Sequence, residues 1–361
     1  KIKNLPATHE ELLRLARDMQ VTTEIYTQLL NKTQELDIVR AGTVGNVRII
    51  DSADANIEKP VKPKKPLIVL IATLLGGLIA VAYVLIRKAM NRGVEDPEII
   101  EQLGIPVYAS IPLSKGQSLI EANLKGNGRA TTGSLLLAVN NPADLAVESL
   151  RSLRTSLHFA TLEAKNNILM ISGPSPAVGK SFVSCNLAAI IAQTGQKVLL
   201  VDADMRKGYL NKLFRMDVNN GLSDLLAGNI ELTTATHSTE VENLHVITRG
   251  QIPPNPSELL MHSNFTQFLE NVSSQYDLVI IDTPPILAVT DAALVGRQAG
   301  TSLIVTRFGV NAAKEILVTK RRFEQNGIVI KGAIFNAVER KASAYGYGNY
   351  SYYQYEYASD K

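Results

Sequence analysis

The sequence predicts an α/β domain with a doubly wound, mostly parallel sheet, preceded by one transmembrane helix and a helical segment beyond it. Three observations carry this expectation. From residue 168 onward, continuous Val/Ile/Leu runs alternate with helical patterns, as in a parallel sheet covered on both faces. The first run leads through a Gly/Pro/Ser loop, closed by Gly179-Lys180-Ser181, into a helical run. Two later runs end in carboxylates, at Asp202 and Asp282. Such a sheet binds its ligand outside the carboxyl ends of its strands.

At 361 residues the chain has room for one sizeable α/β domain and something more. It starts at Lys1 with neither Met nor a secretory leader, so it reads as a piece of a longer protein. A formal net charge of +3 is too weak to argue for nucleic acid. The lone Cys185 forms no intrachain disulfide, fits a reduced compartment and reads as a small core residue.

Between Thr8 and about Val39, apolar residues such as Leu12, Leu15, Met19, Ile25 and Leu29 recur at helical spacing among charges. That pattern predicts a long amphipathic helix paired with another. Gly42 to Asp51 breaks the period and turns strand-like around Val47 to Ile50. Residues 60–66, PVKPKKP, form a stiff basic collar. The 20 residues after it, Leu67 to Ile86, hold no charge. At 1.5 Å each they cover about the 30 Å of a bilayer core, so a span over residues 67–88 is expected rather than a buried core helix. Gly76-Gly77 would let another helix approach it closely. Lysines before the span and Arg87, Lys88 and Arg92 after it leave the orientation open by charge.

Asp96-Pro97 reads as an N-cap followed by Pro at the first helical position, and Val107 to Leu113 as a short strand. Residues 114–142 are rich in Gly, Asn and Ser and read as a flexible connection. A linker over 89–142 and a main domain over 143–340 follow. The helix predicted from Asp144 to Leu162 carries Glu148, Arg151 and Arg154 on one side, either as a self-paired solvated face or as a contact surface.

The loop within Leu169–Asn186 (LMISGPSPAVGKSFVSCN) turns successive backbone N–H groups and a helix N-terminus toward one point, which suits the phosphates of ATP. Lys180 is expected to reach the β/γ-phosphates and Ser181 to hold Mg²⁺. The standard pattern wants Gly at position 174, which is Pro174, with Gly173 one residue earlier. Pro174 and Pro176 lack N–H groups, so the cradle is expected from Ala177, Val178, Gly179, Lys180 and Ser181, with Phe182 following. ATP is cytosolic, so this loop also sets the orientation. Everything after residue 88 is expected in the cytoplasm, and residues 1–66 in the periplasm.

The run KVLLVDAD places Asp202 and Asp204 where the chain leaves the sheet, and DLVIID ends in Asp282. Asp282 is the natural metal partner. Of the other two, one is expected to help hold the metal and one to take a proton from an attacking hydroxyl; Asp202 is the preferred base and Asp204 the preferred ligand. Arg206 and Lys207 offer charge to a γ-phosphate or a partner, or form a surface salt bridge. Thr283-Pro284-Pro285 and RGQIPPNP (249–256) are rigid loops near the same edge. Asn336, at the end of the last strand, is expected to read the adenine edge.

Seven tyrosines crowd thirteen residues from Tyr345 to Tyr357, with no aliphatic residue among them. Such a segment cannot bury a core, and a sticky low-complexity tail has the same composition. Attached to a nucleotide site, however, the phenols of Tyr345, Tyr347, Tyr350, Tyr352, Tyr353, Tyr355 and Tyr357 are expected phosphoryl acceptors. Tyr209, close after Asp204, is a further target or a packed residue.

Residues 173–181, the VLLVDADMR and DLVIIDTPP runs and the tyrosine cluster together resemble the bacterial tyrosine kinases, specifically the Wzc-type autokinases of capsule and exopolysaccharide export. The resemblance covers essentially the whole chain, with Gly45 to Arg48 similar to that family's GNVR segment. It implies a P-loop NTPase fold of the deviant Walker A type. Lys180 and Ser181 then form the Walker A pair, Asp202 and Asp204 the Walker A′ carboxylates, and Asp282 the Walker B residue. The family's E-x-x-R-x-x-R motif matches Glu148, Arg151 and Arg154 and implies a ring of kinase domains, an octamer. ATP and Mg²⁺ are the implied cofactors. The tail of one subunit is modified in its neighbour's site, a phosphatase resets it, and the cycle regulates polysaccharide polymerisation and export at the inner membrane. Two rivals stand beside this reading. A ParA/MinD-like ATPase would carry a lysine where this chain has Ser175, and no tyrosine tail. A membrane scaffold setting polysaccharide chain length would use nucleotide only for assembly.

Overall fold

The computed structural model describes residues 7–42, 50–51, 62–90, 93–125, 135–161 and 164–339. The chain divides into two compact units, residues 1–79 and 80–361. The first begins with helix α1 (Ala7–Gly42), whose Leu, Ile and Met side chains are exposed from Leu12 to Ile38. Helix α2 (Lys65–Met90) starts in that unit, directly on the proline collar. Its stretch Lys65–Arg87 is, among the described residues, the one helix long and apolar enough to cross a membrane; it reaches a mean hydropathy of 2.7, and none of its most apolar stretch is buried. The GNVR segment and the tyrosine tail lie outside the described residues.

The second unit continues with α3 (Pro97–Gln102), β1 (Val107–Pro112), α4 (Lys115–Lys125), α5 (Leu137–Asn140), α6 (Leu145–Thr161), β2 (Ile168–Ser172) and α7 (Lys180–Ala192). Then come β3 (Val198–Asp202), α8 (Leu210–Leu213), α9 (Leu222–Leu226), α10 (Leu232–Ala235), β4 (His237–Ser238), β5 (Leu244–Ile247), α11 (Pro256–Met261) and α12 (Ser263–Gln275). The chain closes with β6 (Leu278–Asp282), α13 (Asp291–Gln298), β7 (Thr301–Arg307), α14 (Ala313–Gln325) and β8 (Gly332–Val338). The strands make one sheet in the order β1-β8-β7-β2-β6-β3-β5-β4, parallel except where β4 meets β5. Helices α5–α7 pack Leu150, Leu153, Leu187 and Ile190 on one face; α3 and α12–α14 pack Ile100, Phe265 and Phe323 on the other. Burial on both faces explains why β2 and β3 read as unbroken apolar runs, with every residue inside.

Two parts differ from the expectation. Residues 114–142 are not a bare connection: α4 and α5 form within them, and Leu135, Leu136, Leu137 and Ala138 are buried. Val94, Ile100, Ile105 and Ile111 are buried as well, and β1 pairs with β8, so the sheet domain starts near residue 94 rather than at 143. The Gly/Asn/Ser composition that suggested a linker is concentrated in residues 126–134, outside the described residues. The second difference is α13, a two-turn helix in the β6–β7 connection that is too short to show a period in sequence.

Candidate active site

β2 runs between β7 and β6, with β3 beyond β6, so the loop after β2 leaves the sheet beside Asp282 and one strand from Asp202. Asp202 and Asp282 are register partners. The loop is braced from below. Thr283 donates to the Ile171 carbonyl through its backbone N–H at 3.0 Å and its hydroxyl at 2.9 Å, Ser172 Oγ donates to the Pro284 carbonyl at 3.2 Å, and the Ile286 N–H donates to the Gly173 carbonyl at 3.1 Å. The Thr-Pro-Pro loop is therefore a support for the turn above it. Gly179 caps α7 at φ +98°, and a Cβ there would fall 2.0 Å from Asn336 Nδ2, so only glycine fits. Ala177 also has a positive φ, +61°, uncommon for a residue with a side chain; its carbonyl accepts from Arg307 Nη1 at 3.0 Å.

Lys180 starts α7 and is 8% exposed. Burial lowers its pKa, while the charges of Asp282 and Asp204 oppose the shift. Ser181 Oγ donates to Asp282 Oδ2 at 2.6 Å, and Ser184 Oγ to Asp282 Oδ1 at 3.1 Å. Burial raises the Asp282 pKa to about 6, against the pull of Lys180 and both serines. Asp204 is half-buried, and its Oδ1 accepts from the Arg206 and Lys207 N–H groups at 3.3 and 2.9 Å. Among the described residues no three His, Cys, Asp or Glu side chains form a ready metal cage. A hydroxyl beside a carboxylate under an anion-binding turn suits instead a cation that brings phosphate and water ligands with it, as Mg²⁺ does.

Two expectations change here. Asp202, the preferred base, is fully enclosed, with Oδ1 accepting from the Asp204 N–H at 3.1 Å and Oδ2 from the Leu210 N–H at 3.2 Å. Burial and then the Asp282 charge push its pKa well up, and Gly208 covers it, so a phenol cannot reach it in this conformation. Asn336 does not face outward as an adenine reader: its Nδ2 donates to the Val178 carbonyl at 2.9 Å, bracing the loop. Arg206 takes the plainer of its two readings, pairing with the buried Asp291 at 2.9 Å. Tyr209 lines a cavity of about 390 Å³ together with Lys180, Ser181, Phe182 and Arg307, and Lys212 Nζ lies 5.6 Å from its ring centroid. Glu148 pairs with Arg151, and Arg154 lines a cavity of about 650 Å³ at the amino ends of β2 and β6, away from the loop. Ser184 went unnoticed in the sequence, although its spacing of three from Ser181 puts both hydroxyls on one helix face. Arg307 carried no motif at all.

Comparison with known proteins bears on both units. Residues 7–89 match a family profile described as "G-rich domain on putative tyrosine kinase", and residues 167–321 match an "AAA domain" profile. The tyrosine-protein kinase Wzc of Salmonella typhimurium is 52% identical over 364 aligned residues, covering 100% of this chain and 50% of the relative. The tyrosine-protein kinase Etk of Escherichia coli K12 is 52% identical over 354, covering 96% and 49%. The chain thus spans about half the length of the curated relatives it matches. Among solved structures, the kinase domain of Escherichia coli Etk is 54% identical with a TM-score of 0.64, covering 71% of this chain and 100% of that one. The BceF tyrosine kinase domain is 44% identical, also with a TM-score of 0.64, covering 68% and 100%.

Proposed function

Because the chain belongs to the family of bacterial tyrosine-protein kinases that includes Wzc and Etk, we propose that it is an ATP-dependent autokinase acting on its own terminal tyrosines. One observation carries this reading: a nearly buried lysine opens a helix at the edge of a parallel sheet, with Ser181 Oγ 2.6 Å from Asp282 and a second carboxylate in register beside it.

The amides of Ala177 to Ser181 and the N-terminus of α7 hold the phosphates, Lys180 offsets the charge that develops on the transferring group, and Ser181 and Asp282 hold Mg²⁺, with Asp204 beside them. Bound there, Mg²⁺ neutralises phosphate charge and orients the terminal group. A tail phenol from a neighbouring subunit attacks the γ-phosphorus. The bond to the β-phosphate oxygen breaks, ADP leaves, and the phenolic proton passes to a carboxylate. Asp204 takes that role in preference to Asp202, because it is half-exposed while Asp202 is enclosed.

The same reading extends to the assembly. Glu148, Arg151 and Arg154 build a ring, an octamer, that lets tails reach neighbouring sites. α2 crosses the inner membrane, with residues 1–66 periplasmic. Each phosphate adds roughly −1.5 to −2 charge, so accumulated repulsion ejects the tails and loosens the ring. A phosphatase restores it, and the cycle governs polysaccharide polymerisation and export. A scaffold role in setting chain length is the second reading, supported by the exposed aliphatic residues of α1 and the apolar stretch Lys65–Arg87.

Incubating the purified chain with MgATP and mapping phosphotyrosine by mass spectrometry, with Lys180→Met as control, tests the proposal. Modification within residues 345–357 that disappears in Lys180→Met is the expected result. Phosphate release without phosphotyrosine would point to an ATPase, and neither signal to a scaffold.

A further inference from the structure

The front edge of the phosphate loop is held by a residue that no motif marks. Asn311, fully buried in the β7–α14 connection, donates through Nδ2 to Ser175 Oγ at 2.8 Å and to Glu315 Oε2 at 3.2 Å. Its Oδ1 accepts from the Arg307 N–H at 2.8 Å. On the other side, the Asn311 backbone carbonyl accepts from the Val94 N–H at 2.8 Å, and the Gly309 N–H donates to the Val94 carbonyl at 2.9 Å. Gly93 lies so close to this connection that an added Cβ would fall 2.1 Å from the Gly309 carbonyl carbon. Arg307, at the connection's start, donates to the carbonyl of Ala177, the loop residue with φ +61°. Residues 307–311 therefore grip the loop at Ser175 and Ala177 and are themselves gripped by Gly93 and Val94.

We infer that Asn311 is a positioning residue for the phosphate loop, and that Gly93–Val94, the first described residues after α2, set the loop's geometry through it. The side chain suits the task, because one amide donates and accepts in opposite directions and so joins separate segments. The hydroxyl of Ser175, at the position where ParA/MinD-like ATPases would carry a lysine, is committed inside its own subunit. Strain at Ala177 persists only while its surroundings hold it, so loosening either grip lets the cradle relax. The effect on nucleotide binding rests on the loop reading given above; the positioning itself does not.

Three variants of the full chain in detergent micelles test this. Ser175→Ala removes the acceptor at a half-buried position without opening a cavity, Asn311→Ala removes the tie, and Gly93→Ala pushes on the connection without touching the loop. The readouts are amide hydrogen exchange at residues 175–179 and the Kd for a fluorescent Mg-ADP analogue. Each variant is expected to speed exchange at Ala177 to Gly179 and to weaken nucleotide binding about 3- to 10-fold, the range of one lost hydrogen bond. Gly93→Ala combined with Ser175→Ala should weaken binding by less than the product of the two, since both act through one link. Wild-type exchange and affinity in Gly93→Ala and Ser175→Ala, with Asn311→Ala lowering only Tm, would overturn the inference. Should the wild type bind no nucleotide, the loop reading fails and the exchange readout decides the role of Asn311 alone.

Discussion

Helices α1 and α7 are both rich in aliphatic residues and treat them in opposite ways. Over α7, every residue from Lys180 to Ala192 is buried except Ser181 and Phe182, which line the cavity at the loop. Along α1, Leu15 is 65% exposed, Leu29 62% and Ile38 71%. One helix is held by tertiary packing, the other by its own propensity until something covers it. The contrast teaches where charge can be stored. Only a helix as enclosed as α7 keeps Lys180 and Asp282 away from water and hence poised, while α1 leaves its aliphatic side chains exposed.

The largest expected effect breaks the enclosed side of that contrast. The folded chain holds the Asp282 proton more tightly than the unfolded chain, with a pKa of about 6 against 3.8. Its contribution to stability is therefore present at low pH and is lost as pH rises from about 4 through 6, a cost on the order of 3 kcal/mol by linkage. Asp282→Asn should lose Mg-nucleotide affinity about 10- to 100-fold yet melt no lower than wild type at pH 7.5, with a midpoint that falls less steeply than the wild type's between pH 5 and 7, the remaining slope coming from the enclosed Asp202. In the wild type, Mg-nucleotide affinity should climb over the same interval as the carboxyl ionises. A variant that melts far lower, or titration curves without that climb, would show that the buried charge is compensated by its neighbours.

The exposed side yields a smaller effect. Leu15→Ser with Leu29→Ser should leave the thermal transition of the sheet domain where it is, because neither residue belongs to its core. Helicity that rises with protein concentration should fall in the variant, since each leucine covered by a partner contributes roughly 1.5–3 kcal/mol. Unchanged helicity at every concentration would mean that α1 stands on propensity alone.

How far the sequence disclosed all this follows the same contrast. β2, β3 and β6 were legible because strands buried on both faces are unbroken apolar runs, Lys180 and Ser181 because they are neighbours in one loop, and Asp282 because it ends one of those runs. The start of the domain near Val94 was not, since β1 joins the sheet through β8, more than 200 residues later in the chain. The enclosure of Asp202 was not legible for a related reason: it comes from Gly208 and Leu210, and depth is invisible in a run of letters. Asn336 and Asn311 hold the loop from strands and connections distant in sequence, so nothing around either announces the contact.

The smallest effect on stability sharpens the comparison at a surface between the two extremes. The pair of Glu148 with Arg151 lies at i, i+3 on α6, with side chains 57% and 34% exposed. Water screens such a pair, and two long side chains lose rotamer freedom to form it, so its net value is about 0.5 kcal/mol or less. Glu148→Ala should therefore shift the melting midpoint of the isolated subunit barely at all. If Glu148, Arg151 and Arg154 instead face a neighbouring subunit, desolvation on assembly magnifies the loss of one partner, because the remaining cations are left without their counter-charge. Sedimentation at a concentration where the wild type assembles separates the cases. A dissociated variant with an unchanged midpoint assigns the pair to the ring, whereas wild-type assembly would return it to the solvated face it also resembles.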